Sequence, residues 1–559
     1  MLAYLISPLI FWDIARITAQ GWLVDDTFFY SLIADRLLDG QGMTFDGRES
    51  TNGVQPLWQA MIVIGKWAFP SVASGDIVLI LSWVTFLIGS AVLIRFAYGY
   101  GRRTAMIVAL CLLANPFFHR LVLQGLETPL VLIFLPLTLM LTQYWLELQE
   151  QPREGQGREG ESRSGVIVAL VLGAVSAALF LTRTDLFWFP VIIAAVMAMR
   201  RRWSDAVVFC CCLAVLVLPY LAYNHVSQGS VMPISGRVKL FYLAAYFPTL
   251  QSYIFSDEWS GIFAAVAKLI GLEYAFKLAG IGSKFAILAV VPLVTILFAL
   301  GALAAYREYR RKGVTSFVIF TAGIVLHAAY MHLFYRELRM YTAYYFVPEL
   351  IWMATVVGRY WAASLERAGA ADDIPMSEGR RRVLVTAVLG CSMAAIALAG
   401  IHVRTAAPAA FWTARLAVAE AISREIERTP EVARRIGAFW PGALAYFSKA
   451  PIAPLDGIIS SQSYFENYVK TGRQLDYARE HGIDNLLVLL MPAEVEAIRS
   501  KQVPTHLVWS KDYIRLLAQS GMDIEFAGAW PASSDEAQAA SWYWLKLGPQ
   551  LGQQLGQRG

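Results

Sequence analysis

Charged residues are scarce in this chain. Asp, Glu, Lys and Arg make up 16% of its 559 residues, against 57% that are hydrophobic. With a mean hydropathy of +0.49, that balance excludes an ordinary soluble protein. Cysteine is scarce as well: Cys111, Cys210, Cys211, Cys212 and Cys391 all lie inside apolar runs. A thiol there behaves as a small hydrophobe, so neither a disulfide framework nor a zinc site is expected. Gly-rich phosphate loops, GxSxG elbows and HExxH pairs are missing, which argues against nucleotide-driven and serine-hydrolase chemistry. His327 and His332 stand off the i, i+4 spacing of a helical metal pair and read as packed or hydrogen-bonded core residues. Met1 to Leu23 lacks the basic start and small-residue cleavage site of a signal peptide, so it reads as a retained helix.

Apolar runs long enough to cross a hydrocarbon core of about 30 Å are plentiful between residues 1 and 401. The formal net charge of +5 is modest, and the basic residues fall in short clusters between those runs. That is a pattern of membrane topology, not of nucleic-acid binding. Short loops rich in Lys and Arg stay cytoplasmic. The clusters are GYGRR (99–103), the polar stretch 151–164, MRRRW (199–203), REYRRKG (307–313) and the region ending in EGRRR (378–382). Placing all of them on one side leaves spans at about 2–22, 76–98, 104–118, 128–148, 165–182, 186–199, 204–224, 283–306, 314–335, 340–361 and 383–401, about eleven in all.

The run VQPLWQAMIVIGKWAFP (54–70) is too short and carries Gln55, Pro56, Gln59 and Lys66. It is expected to be a juxtamembrane or re-entrant helix inside a first external loop of about 24–75. A second external loop covers about 225–282, and parity then puts everything after about 403 outside. In that last part, strand-like IGAF, NLLVLL, HLVW and WYWLKL alternate with the helical ARLAVAEAISREIER, as in a small α/β domain over 404–559. Residues 151–164 and 549–559 read as solvated polar segments. The expected fold is therefore mostly α: a polytopic membrane domain over 1–403 followed by an external α/β domain.

Several constellations could carry chemistry. Asp25 and Asp26 adjoin in GWLVDDTFFY, where mutual repulsion and partial burial raise proton affinity and suit a general base. The same pair could instead cap the amphipathic helix TFFYSLIADRLLDG that follows. GQGMTFDGRESTNGVQPLW (40–58) is either a plain loop or part of a site. Arg183 and Asp185 interrupt an apolar stretch, as a partnered pair or an interfacial turn. Glu127 follows His119 and Arg120 at the mouth of a helical pair. Arg237 and Lys239 suit a phosphate near the headgroup plane, or simple attraction to the membrane surface.

Together VDD, GQGMTF, TNG followed by PLW, GLET and LTRTD resemble the GT-C superfamily of integral-membrane glycosyltransferases, most closely its mycobacterial cell-wall arabinofuranosyltransferases. Two departures stand out: Thr184 replaces the usual proline after the arginine, and Gly53-Val54-Gln55 separate TN from Pro56. The resemblance implies a polyprenyl-phosphate sugar donor, a glycan, glycolipid or protein acceptor, and a bacterial plasma membrane with the site on its outer face. It implies Asp25 or Asp26 as base, with Asp25 favoured and the other aligning the acceptor. Lys239, Arg237 and Arg183 would hold the donor phosphate, and Glu127, Asp185, Asn52, Trp58 and His119 the sugar or acceptor. No cofactor and no metal is expected. The rival classes are a lipid or solute transporter and an envelope scaffold.

Overall fold

A computed structural model describes residues 13–150, 158–246, 261–272, 275–276, 279, 283–335, 343–370, 409–502, 512–520, 522–531 and 540–550. Among them, six helices are long and apolar enough to cross a membrane: Ser74–Tyr98, Thr128–Glu150, Ser164–Thr182, Trp203–Gln228, Leu288–Lys312 and Ser316–Leu333. Each coincides with a span expected from hydropathy. The run expected at 186–199 forms a helix too short to cross by itself, Trp188–Met199. The one at 104–118 is broken into Arg102–Val108, a π turn and Pro116–Val122. The span at 383–401, the basic cluster 378–382, the strand-like HLVW and most of the first span lie outside the described residues.

The elements used below are α1 (Asp25–Leu38), α2 (Pro56–Ala68), α3 (Ser74–Tyr98), α4 (Thr128–Glu150), α5 (Arg158–Thr182), α6 (Trp188–Met199), α7 (Trp203–Gln228), α8 (Ile234–Tyr246), α9 (Ser283–Lys312), α10 (Ser316–Tyr330), α11 (Val347–Ala370), α12 (Ala409–Arg428) and α13 (Gly442–Ser448). α2 is the helix made by the short run at 54–70. At about 1.5 Å per residue its 13 residues reach about 20 Å, short of a crossing. Trp67 and Phe69 stand exposed at its end. α8 lies within the stretch expected as an external loop.

The helix ends sort into two groups. Tyr100 meets Ser316 (3.5 Å), Arg200 meets Glu150 (3.6 Å), and Arg200 also donates to the carbonyl of Val314. These contacts gather the basic turns after α3, after α6 and between α9 and α10 at one end of the bundle. At the opposite end Gln228, closing α7, bonds both Ser50 and the amide of Gln462.

The C-terminal region builds a five-stranded mixed sheet in the order β2-β1-β3-β5-β4, from β1 (Ile436–Ala438), β2 (Ala453–Pro454), β3 (Asn485–Leu490), β4 (Met522–Pro531) and β5 (Ser541–Gln550). β1 runs parallel to β2 and β3, whereas β5 is antiparallel to β3 and β4. β3 is almost wholly buried, which explains its unbroken run NLLVLL. This region does not stand apart: Leu444, Ala445, Ile459 and Trp542 share one hydrophobic core with Phe29, Trp58 and the membrane helices.

Candidate active site

The site is organised by the first two turns of α1. Residues i, i+3 and i+4 share a helix face, and Asp26, Phe29 and Tyr30 together line a cleft of about 450 Å³, open mouth included. The neighbouring face carries Asp25 and Phe28 toward the C-terminal region. Phe28 packs on the rings of Tyr446 and Phe447 in α13. The cleft is completed by Gly53, Val54 and Gln55, by Leu126 and Glu127, by Ser235 and Lys239 of α8, by Tyr344 and Tyr345, and by Ile458 of the C-terminal region.

The two aspartates have different partners. The Asp25 carboxylate pairs with Arg415 of α12 at 2.7 Å and accepts hydrogen bonds from the amides of Gly442 (3.1 Å) and Ala443 (2.7 Å). It therefore caps α13, a different helix from the one expected; its own helix begins after Val24 with no side-chain cap. A Cβ at Gly442 would lie 2.3 Å from the Asp25 carbonyl oxygen, so only glycine admits this docking. Asp26 faces the cleft instead. Burial raises its pKa above the ordinary carboxylate value, Lys239 pulls it down and Asp25 pushes it up. The favoured choice of Asp25 as base thus meets a carboxylate already committed to a cation and two amides.

Lys239 donates to the Tyr345 hydroxyl at 2.9 Å. Arg237, grouped with it from sequence, pairs with Glu466 (2.9 Å) and lies over Phe465. Arg183 sits behind the cleft wall: it grips Asp185 through two N–H groups at 3.0 and 2.6 Å, under the Tyr345 ring. Asp185 is likewise turned inward, toward His327 at 3.1 Å. Glu127 reaches the cleft and accepts from Tyr30 at 3.1 Å, while Tyr30 accepts from the Gln55 amide. Burial raises the Glu127 carboxyl, with Arg183 opposing.

Asn52 and Trp58 act one step behind the wall. Asn52 accepts from the Ile234 amide (2.8 Å) and so sets the start of α8, which carries Lys239. The Trp58 indole donates to the Gly125 carbonyl (3.1 Å) and pins the turn before Glu127. A Cβ on Gly53 would stand 2.6 Å from the Ile458 carbonyl oxygen, so glycine lets the C-terminal loop close on the cleft. His119 lies elsewhere: its Nε2 is 2.6 Å from the Leu113 carbonyl and its ring meets the edge of Phe86.

Residues missed from sequence include Tyr30, Tyr344, Tyr345, Arg415 and Asp456. Tyr30 was findable, since it follows Asp26 by one helical turn. Asp456 accepts from the amides of Trp440 (3.0 Å) and Ile458 (2.9 Å). Burial, with the charges of Asp25 and Asp26, pushes it up to about 7. Among the described residues, no three His, Cys, Asp or Glu side chains gather as a metal site.

The protein is a multi-pass membrane protein, a bundle of membrane-crossing helices with an acidic α1 beside a cleft and a C-terminal mixed region closing over it, and its fold is shared with solved oligosaccharyltransferases. The archaeal oligosaccharyltransferase AglB from Archaeoglobus fulgidus, in complex with an inhibitory peptide and a dolichol-phosphate, superposes with a TM-score of 0.51 at 12% identity, covering 94% of this chain and 73% of that one. The same organism's oligosaccharyltransferase tethered to an acceptor peptide gives 0.50 at 12% identity, over 97% and 74%. ArnT from Cupriavidus metallidurans bound to undecaprenyl phosphate gives 0.48 at 12% identity, over 96% and 97%. No protein family and no curated protein sequence matches the chain.

Proposed function

We propose that the protein is a membrane glycosyltransferase that moves a sugar from a polyprenyl-phosphate donor to a nucleophile on a cell-envelope glycan, glycolipid or protein. The observation that carries the reading is the shared cleft: a desolvated carboxylate, Asp26, and a cation, Lys239, line it together with the Glu127 carboxylate. Asp26 takes the proton from the acceptor hydroxyl as that oxygen attacks the anomeric carbon. The bond from that carbon to the phosphate oxygen breaks in the same displacement, which inverts the anomeric configuration. The electron pair leaves with the polyprenyl phosphate, whose charge Lys239 meets. Tyr30 and Glu127 are placed to bond sugar hydroxyls. Pentofuranosyl, arabinofuranosyl-like transfer and hexosyl transfer both suit this chemistry.

Two further observations support the reading. The fold is shared with an oligosaccharyltransferase whose structure holds a dolichol-phosphate. The basic turns gather at the bundle end opposite the cleft, and the positive-inside rule then favours an outer-face cleft and C-terminal region in a bacterial plasma membrane. Purified protein incubated with polyprenyl-phosphate arabinofuranose or polyprenyl-phosphate hexoses, and an envelope extract as acceptor, should release polyprenyl phosphate and form a covalent glycan product. Movement of intact lipid across proteoliposomes with no covalent product would refute the reading in favour of a transporter.

A further inference from the structure

A buried chain of charges leads from the cleft into the bundle, and the proposed transfer step uses none of its inner members. Arg183 lies 3.8 Å from Glu127 and grips Asp185; Asp185 Oδ2 faces His327 Nε2 at 3.1 Å; His327 Nδ1 faces Glu349 Oε1 at 2.6 Å. Arg183, His327 and Glu349 are wholly buried. A neutral imidazole offers one donor and one acceptor nitrogen. Here each ring nitrogen meets a carboxylate oxygen, so the two contacts need two donors. Three carboxylates against a single guanidinium would also leave two negative charges uncompensated inside the bundle, a costly arrangement.

The backbone is built for this contact. Gly323 precedes His327 by one helical turn on α10, and a Cβ there would come within 2.4 Å of the Phe189 ring. Glycine therefore lets α10 lie directly against α6, the helix that follows Asp185.

We infer that His327 is a positioning residue of the cleft: an imidazolium clamped between Asp185 and Glu349, which keeps Asp185 turned onto Arg183 and so holds the guanidinium under Tyr345 and beside Glu127. The charged and titratable groups around it are Asp185 before α6, Glu349 of α11, Arg183 and Tyr330 through Asp185, and His332 of the π turn that follows its own helix. Tyr345 is the consequence that matters, since its hydroxyl receives Lys239. The catalytic consequence rests on the transfer reading; the charge state does not.

Protein labelled with ¹⁵N-histidine, with His327→Gln used to assign its signal, should show a doubly protonated ring near neutral pH. A neutral tautomer overturns the inference. His327→Gln raises the excess of negative charge in the chain from one to two, and His327→Gln with Glu349→Gln brings it back to one. The melting midpoint should fall by a few degrees in the single variant and recover by half or more in the double. A double variant no better than the single overturns the inference, because lost packing would not be repaired by a second substitution. In the transfer assay the single variant should raise the donor KM about tenfold with a smaller change in kcat, again relieved in the double. An unchanged donor KM, with the unsubstituted protein active, overturns the inference. Absence of transfer by the unsubstituted protein sinks the proposed function alone and leaves the spectroscopic and melting outcomes to decide this one.

Discussion

Adjacent aspartates with different partners should respond oppositely to the same conservative change. In Asp25→Asn the amide keeps one acceptor oxygen but turns an NH₂ toward a site holding two backbone donors and the Arg415 guanidinium. With its oxygen in the Oδ1 place the amide keeps the Ala443 N–H and Arg415 but without the negative charge, and it opposes the Gly442 N–H; hydrogen bonds to charged groups contribute about 1.5–3 kcal/mol each. Arg415 is 2% exposed, so it is left as a buried, poorly compensated cation. Both arguments give a destabilisation of roughly 3–5 kcal/mol. Burial raises both carboxyls, but among the described residues Asp26 lacks the paired cation and the two amides that Asp25 holds, so Asp26→Asn should leave the fold as stable as before or slightly more so. Its transfer rate should fall about 10²- to 10⁴-fold, the usual worth of a positioned base. The assay is thermal unfolding in detergent together with transfer from a polyprenyl-phosphate sugar. Asp25→Asn should melt several degrees lower, and any residual folded fraction should keep its Asp26-dependent chemistry. An Asp26→Asn protein with unreduced transfer would refute the assignment of the base. So would an Asp25→Asn protein that melts normally yet is dead.

Other outcomes follow from the same geometry. Lys239→Ala should weaken donor binding by about 1.5–3 kcal/mol, or roughly ten- to a hundredfold, read as KM for the lipid-linked sugar with little change in melting. Gly53→Ala puts a methyl group 2.6 Å from the Ile458 carbonyl oxygen. It should cost about 1–3 kcal/mol and loosen the C-terminal region, which limited proteolysis would detect. Asp456, raised to about 7 from an ordinary 3.8, binds its proton more tightly folded than unfolded. Stability should therefore fall as pH rises from about 4 to 7, by roughly 4 kcal/mol across the window, and Asp456→Asn should flatten that slope in melting curves. Transfer should decline on acidification through the raised pKa of Asp26, because only the carboxylate accepts a proton.

Hydropathy and charge placement are local properties, and they were legible. Unbroken apolar length sets the spans expected at about 76–98, 128–148 and 204–224, within a few residues of the helices at 74–98, 128–150 and 203–228, and the run of α2 reads as non-crossing because it is short and carries Lys66. The i, i+4 spacing of Asp26 and Tyr30 was written in the chain. The short helix at 188–199 and the break after Val108 were harder, because a helix that is part of a packed bundle need not be long enough to cross alone.

The sequence by itself determined that this is a helical membrane protein with an acidic pair at the start of an amphipathic helix, a few cationic candidates between its apolar runs and a mixed C-terminal region. Only the tertiary structure decided which carboxylate does what. Successive residues on a helix point about 100° apart, so Asp25 and Asp26 must face different surroundings, but what those surroundings are depends on a helix 418 residues later in the chain. The same holds for Arg183 and Asp185, whose need for partners was plain from their apolar setting. That Asp185 meets His327, itself held by Glu349, follows from the crossing of α6, α10 and α11, a long-range packing choice that no local pattern encodes.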